Sequence, residues 1–197
     1  RSLAEMTERY AASLARSGDR SPAFPGAREL LARLKDRGAC LLLLTNGFRV
    51  FQLPVTRALG LEPYLEAIYA ADDLGAVKPF REAFERAFSA CAGAGARSRA
   101  RIHVGDTLTH DVLGARASDV RSIWIDWDLP DGLRRLGLRE RAGAPELEAV
   151  LRGKLEREAG VHGVAGLAMP TVEEVRPDAV VVSLDEVEAA VEALLPA

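Results

Sequence analysis

Apolar positions along the chain follow two rhythms. Leu3, Met6, Tyr10 and Leu14 recur at helical spacing within residues 2–17, and "SGDRSPAFPG" then breaks the pattern with two prolines and two glycines. The spacing predicts a helix followed by a linker. A second helix is expected from about Ala27 to Arg37, closing at Gly38, and the apolar run from Ala39 to Leu44 reads as a strand buried on both faces. A helix at about 49–59, a short strand at "AIYA", a helix from about Phe80 to Ala92 and the strand "RIHV" follow, then a helix near 110–117 and the strand "RSIWID". Strand and helix alternate, and apolar runs without a polar face suit a parallel sheet. The expected fold class is therefore α/β, a doubly wound parallel sheet with helices on both faces.

Beyond Trp127 the chain holds one clear helix, about 145–158, amid glycine, proline and charge, and the segment at about 129–168 reads as an insertion. Order returns with the strand "DAVVVS" and the helix "LDEVEAAVEALL", for which Ser183 is the expected N-cap with Glu186 three residues on.

Composition narrows the function classes. With 197 residues, 48% hydrophobic and 28% charged, the chain can bury a core of its own. A net charge of -3, a pI near 5.7 and arginines spread along the chain lead us to expect no nucleic-acid partner. No apolar run approaches the roughly 20 residues that span a bilayer, and no signal-peptide core opens the chain, so no membrane partner is expected. Cys40 and Cys91 form no framework and read as buried, reduced thiols, which suits a cytoplasmic protein.

In open α/β sheets ligands bind at the carboxyl ends of strands, where helix N-termini present free N–H groups. Thr45-Asn46-Gly47 stands at such an end, directly after "LLLL". A hydroxyl and the amides of a glycine turn can cradle a phosphate oxygen; taken alone, the segment reads rather as a polar strand-end turn with Thr45 or Asn46 as an N-cap. The strand "RIHV" ends in Gly105-Asp106, with Asp111 five residues on at the start of the next helix. Two hard carboxylates held there suit Mg²⁺, which binds through one or two carboxylates plus substrate phosphate. The structural alternative is a turn residue and a first-turn acid favoured by the helix dipole. Lys78-Pro79 in "GAVKPF" sets a lysine at a helix mouth, where it could offset phosphate and carboxylate charge.

In this order, Thr45-Asn46-Gly47, Lys78-Pro79 and Gly105-Asp106 with Asp111 resemble the second, third and fourth motifs of the haloacid dehalogenase-like (HAD) hydrolase superfamily. The resemblance spans about Pro25 to Trp127 with the closing strand and helix, and is nearest to capped small-molecule phosphatases. It implies a Rossmannoid core at 21–197 and, in residues 1–20, a remnant of a helical cap. It further implies a Mg²⁺-dependent phosphatase acting on a small phosphorylated molecule through an aspartyl-phosphate. Thr45 and Lys78 would be catalytic; Thr45, Asn46, Gly47 and Lys78 would hold the phosphate; Asp106 and Asp111 would serve the metal, Asp111 through its water shell or through Lys78.

Family members open with a strand ending in Asp-x-Asp, which supplies nucleophile and general acid. Nothing of the kind precedes Thr45, so the chain reads as a family member lacking that strand and most of its cap, inactive by itself. The alternative is a non-catalytic fragment or degenerate relative acting as a binding domain. A dehalogenase is disfavoured by Gly105-Asp106, since those enzymes lack the metal-binding aspartate here. A receiver-like or nucleotide-binding domain is disfavoured because no Gly-rich phosphate loop follows any strand. Asp126 and Asp128, in "WIDWDLPDG", read as strand-end turn residues. His103 reads as a core or edge residue of its strand, and His110 and His162 as exposed, none at metal-ligand spacing.

Overall fold

The computed structural model describes residues 23–89, 100–162 and 168–195, together with residues 5, 8, 9, 12 and 13. Those five early positions are helical; the remainder of the helix expected over 2–17, and the end of the one expected to reach Ala92, lie outside the described residues. The chain divides into two units, Arg1–Val77 with Glu85–Arg97, and Lys78–Phe84 with Ser98–Ala197.

The first unit runs α1 (Ala27–Asp36), β1 (Leu42–Leu44), α2 (Arg49–Ala58), a 3-10 turn (Glu62–Tyr64), β2 (Ala67–Tyr69) and α3 (Ala71–Leu74). Gly38 takes φ 81°, and its N–H donates to Lys35 O at 2.8 Å, so the chain leaves α1 where a side chain would be strained. β1 and β2 are parallel, with Leu42 opposite Ala67 and Leu44 opposite Tyr69. Arg49 ties the start of α2 to the following corner: its backbone N–H donates to Asp72 Oδ1 (2.8 Å) and its guanidinium to Asp73 Oδ2 (2.8 Å) and Ile68 O (3.1 Å).

Two expectations are corrected here. β1 is half-buried along its length rather than covered on both faces, because among the described residues it belongs to a two-stranded ladder with one partner. Cys40 is half-buried and disulfide-bonded rather than a reduced thiol, and with that the redox ground for an intracellular setting falls away.

The second unit holds the first turn of α4 (Arg81–Ser89), β3 (Ile102–Gly105), a π-helical turn (Leu108–Val112) that runs into α5 (Leu113–Ala117), and β4 (Arg121–Ile125). Then come α6 (Asp131–Arg134), α7 (Leu138–Arg141), α8 (Leu147–His162), β5 (Ala179–Val181), a 3-10 turn (Leu184–Glu186) and α9 (Val187–Leu194). Its sheet is parallel in the order β3-β4-β5, with Gly105 opposite Trp124 and Ile125 opposite Val181. β4 is central and buried apart from its first residue, as its unalternating apolar sequence requires. Between β4 and β5, α8 presents Leu147, Leu151 and Leu155 at four-residue spacing to a core that includes Trp124, Leu129 and Val180. The segment read as an insertion thus supplies core. Among the described residues no helix is long and apolar enough to cross a membrane.

Ser183 is not the expected side-chain cap. The closing helix begins as a 3-10 turn, and Glu186 is drawn elsewhere: its carboxylate accepts from Val182 N (2.9 Å) and twice from Arg141 (2.6 and 3.0 Å). Arg141 is buried, and it also donates to the carbonyls of Leu133, Arg134 and Val180 at 2.9 to 3.3 Å. A buried guanidinium needs its carboxylate more than a helix end needs a cap. Arg141→Ala should therefore lower stability by about 2 kcal/mol, below the usual cost of breaking a buried pair because half-buried Glu186 can turn to water. The urea midpoint of the variant against the parent measures it.

Candidate functional site

The site is built where β3 ends. Asp111, buried in the π-helical turn, faces back toward the strand, and both of its oxygens are taken. Oδ1 receives Lys78 Nζ at 2.5 Å and His103 Nε2 at 2.8 Å; Oδ2 receives Thr107 N at 3.0 Å and Thr107 Oγ1 at 2.6 Å. An ionised carboxylate only accepts, so His103 carries its proton on Nε2. Burial pushes the Asp111 carboxyl up from an ordinary 3.8, but the His103 hydrogen bond and the charge of Lys78 outweigh it and hold the group well below the usual carboxylate range.

Gly105 is there because Asp111 is. A Cβ at Gly105 would lie 2.2 Å from Asp111 Cγ and 2.5 Å from its Cβ, so the strand can pass the carboxylate only without a side chain. Gly105→Ala should destabilise the chain by about 2 kcal/mol, in the range for overpacking. Most of that cost should vanish in an Asp111→Ala background; a double-mutant cycle read by urea unfolding checks the coupling.

Asp106 is the opposite case. Its side chain is exposed, and no hydrogen bond or ion pair to its carboxylate is found among the described residues. Its backbone carbonyl accepts from the indole Nε1 of buried Trp124 at 3.0 Å.

Lys78 stands before α4, joined to Pro79 by a cis peptide bond. Pro79 precedes the helix by two residues and is packed tightly: a Cβ on Gly114 would come within 2.9 Å of Pro79 Cα and 2.4 Å of the Phe84 ring. Phe84 in turn meets the His103 ring edge-on, with centroids 5.1 Å apart. The lysine mouth, the histidine and the aspartate are thereby set by one packed corner.

In the first unit, Thr45 N donates to Tyr69 O (2.9 Å) and Thr45 Oγ1 accepts from Gly47 N (3.1 Å), while Asn46 is exposed. Phe48, not Thr45 or Asn46, occupies the N-cap of α2, so the capping alternative for this segment does not hold.

The structure brings Lys78 and Asp111 into an ion pair and leaves Asp106 open beside them in sequence. Sequence reasoning missed two participants. His103, by sequence a core or edge residue of its strand, bonds Asp111; its signal is a polar residue in an apolar strand two positions before Gly105. Glu158 lies in the segment that the sequence presents as an insertion, yet it is buried and accepts from Leu108 N and Thr109 N; its signal is an acid on the stripe of Leu147, Leu151 and Leu155. Asp126 and Asp128 form the expected turn, Asp128 N donating to Asp126 Oδ1 at 3.3 Å. His110 is half-buried rather than exposed, and the side chain of His162 lies outside the described residues. Among the described residues no group of three or more histidine, cysteine or acidic side chains is arranged to hold a metal by itself.

A parallel α/β core with an open aspartate at a strand end, and a second aspartate locked to a lysine at a helix mouth, defines the class to which this chain belongs. The sequence profile of the haloacid dehalogenase-like hydrolases matches residues 3–119, more than half of the chain, and the chain belongs to that family. It is 34% identical over 122 residues to the phosphoserine phosphatase of Thermus thermophilus, covering 62% of this chain and 48% of that protein. To the phosphoglycolate phosphatase of Caulobacter vibrioides it is 34% identical over 114 residues, covering 58% and 46%. The chain spans about half the length of the curated relatives it matches. The crystal structure of a HAD phosphatase from Thermococcus onnurineus superposes over 97% of this chain and 65% of that one with a TM-score of 0.63 at 19% identity, a likeness of fold.

Proposed function

We propose that this chain carries the phosphate- and metal-binding part of a Mg²⁺-dependent hydrolase of small phosphomonoesters. One observation supports the reading above others: of two aspartates five residues apart, Asp111 has both oxygens filled by Lys78, His103 and Thr107, while Asp106 is exposed and its carboxylate has no partner among the described residues. A single open carboxylate with hard oxygens fits Mg²⁺, which keeps most of its waters. Asp106 is thus the metal ligand, and Asp111 acts behind it by holding Lys78. Bound Mg²⁺ would draw charge from the phosphate oxygens. Lys78 balances the remaining charge. In the first unit, taken by itself, the Thr45 hydroxyl accepts from Gly47 and has its own proton to give an anionic oxygen.

In this reading the phosphoryl group passes first to an aspartate and then to water, and the accepting aspartate belongs to a strand-end Asp-x-Asp of a kind that does not precede Thr45 in the 197 residues. The chain by itself binds but does not turn over. The relatives named as phosphatases support the class of reaction.

Calorimetric titration with Mg²⁺ tests the metal role. The parent chain should bind weakly and Asp106→Asn should lose the heat altogether, whereas Asp111→Asn should keep part of it. Equal binding by the parent and Asp106→Asn would remove Asp106 as ligand.

A further inference from the structure

Glu158 is 6% exposed and reaches from α8 into the loop that follows β3. Its Oε1 accepts from Leu108 N at 2.9 Å, and its Oε2 accepts from Thr109 N and Thr109 Oγ1, both at 2.8 Å. Burying a carboxylate is unfavourable unless hydrogen bonds offset it, and a leucine would serve packing on this stripe as well. What the acid adds is direction. The neighbouring peptides are pinned too: Trp124 Nε1 holds Asp106 O at 3.0 Å, and Asp111 Oδ2 holds Thr107 N at 3.0 Å. One turn before Glu158 on the same helix, Lys154 lies over the Trp124 ring at 5.9 Å, so α8 braces a second anchor of the loop. Four successive residues, Asp106 to Thr109, are each held through the backbone, and the Asp106 carboxylate is left facing solvent.

We propose that Glu158 is a positioning residue, which from α8 sets the backbone of residues 106–109 so that the Asp106 carboxylate is presented to its ligand. The identity of that ligand as Mg²⁺ rests on the function proposed above; the positioning of the loop does not. The segment between β4 and β5 is then part of the site's framework, and its absence or replacement would change the site without touching Asp106.

The test uses the full chain and Glu158→Gln, which keeps the shape but turns an amide toward backbone donors. Amide hydrogen exchange at Leu108 and Thr109 should accelerate by about 10- to 100-fold, the weight of a hydrogen bond to a charged acceptor, while the amides of β4 and β5 keep their protection. The Trp124 indole N–H resonance should shift as Asp106 O moves, and Mg²⁺ added alone should perturb the Asp106 amide only at several-fold higher concentration than in the parent. Should Glu158→Gln not fold, Thr109→Val removes one bond to the same acid and should move the same signals less. Unchanged exchange at Leu108 and Thr109 would overturn the proposal. So would faster exchange with the Trp124 signal and the Mg²⁺ response both as in the parent, the mark of a purely structural contact. A parent chain that is silent to Mg²⁺ would remove the metal reading, and the Trp124 signal alone would then decide the positioning role.

Discussion

Replacing Asp111 with alanine should destabilise the chain by about 3–5 kcal/mol, the cost of leaving one member of a buried ion pair without the other. The side chains are 13% exposed for Lys78 and 6% for Asp111, so the ammonium cannot simply return to water. His103 Nε2, Thr107 N and Thr107 Oγ1 lose their acceptor at the same time. Asp111→Asn keeps the size but puts an amide against the lysine, and should cost about half as much. The pH dependence has a definite sign. The Asp111 carboxyl is held below its ordinary 3.8 in the folded chain, so its contribution is present above that value and is lost as pH falls toward the folded one. The stability gap between parent and Asp111→Asn should thus be constant above about pH 5 and narrow below about pH 4. Urea unfolding of both at a series of pH values measures it; a gap that widens in acid would contradict the assignment of the depressed carboxyl.

Phosphate release from p-nitrophenyl phosphate by the 197-residue chain should stay at background with Mg²⁺ present. Fusing a strand that ends in Asp-x-Asp ahead of Arg1 should raise it, by as much as about 10⁶, the scale on which covalent catalysis depends on its nucleophile. The structure has edges for such a strand. β1 and β3 each close a ladder with one partner among the described residues, and Val104 in β3 is 39% exposed, unusual for valine in a parallel strand. Asp-to-Asn replacement of the first added aspartate should return the rate to background. Turnover by the unextended chain would point instead to Asp126, and Asp126→Asn should then abolish it. The geometry speaks against that outcome, because Asp126 is buried, its Oδ1 accepts from Asp128 N, and Lys154 lies 3.9 Å away.

The order of strands and helices, the parallel pairing and the acids at the strand end are legible in the chain because they depend on local facts. Apolar spacing, a glycine that ends α1, and unalternating runs such as "RSIWI" act within a few residues of themselves. The likeness of Thr45-Asn46-Gly47, Lys78-Pro79 and Gly105-Asp106 to family motifs rests on the same short range. What tertiary structure alone decided is which polar groups meet. Lys78 and Asp111 are 33 positions apart, and Leu108 and Glu158 are 50 apart. No periodicity encodes such pairs; they exist because β3, β4 and α8 pack to bring them together. Ser183 lost its capping role for that reason, since Glu186 answers to Arg141, 45 residues away, rather than to its own helix. The division of labour between the two aspartates has the same origin. Asp106 and Asp111 are alike in sequence, and only the packed corner of Lys78, His103 and Thr107 fills one of them and leaves the other open, because burial makes every unpaired donor seek the nearest carboxylate.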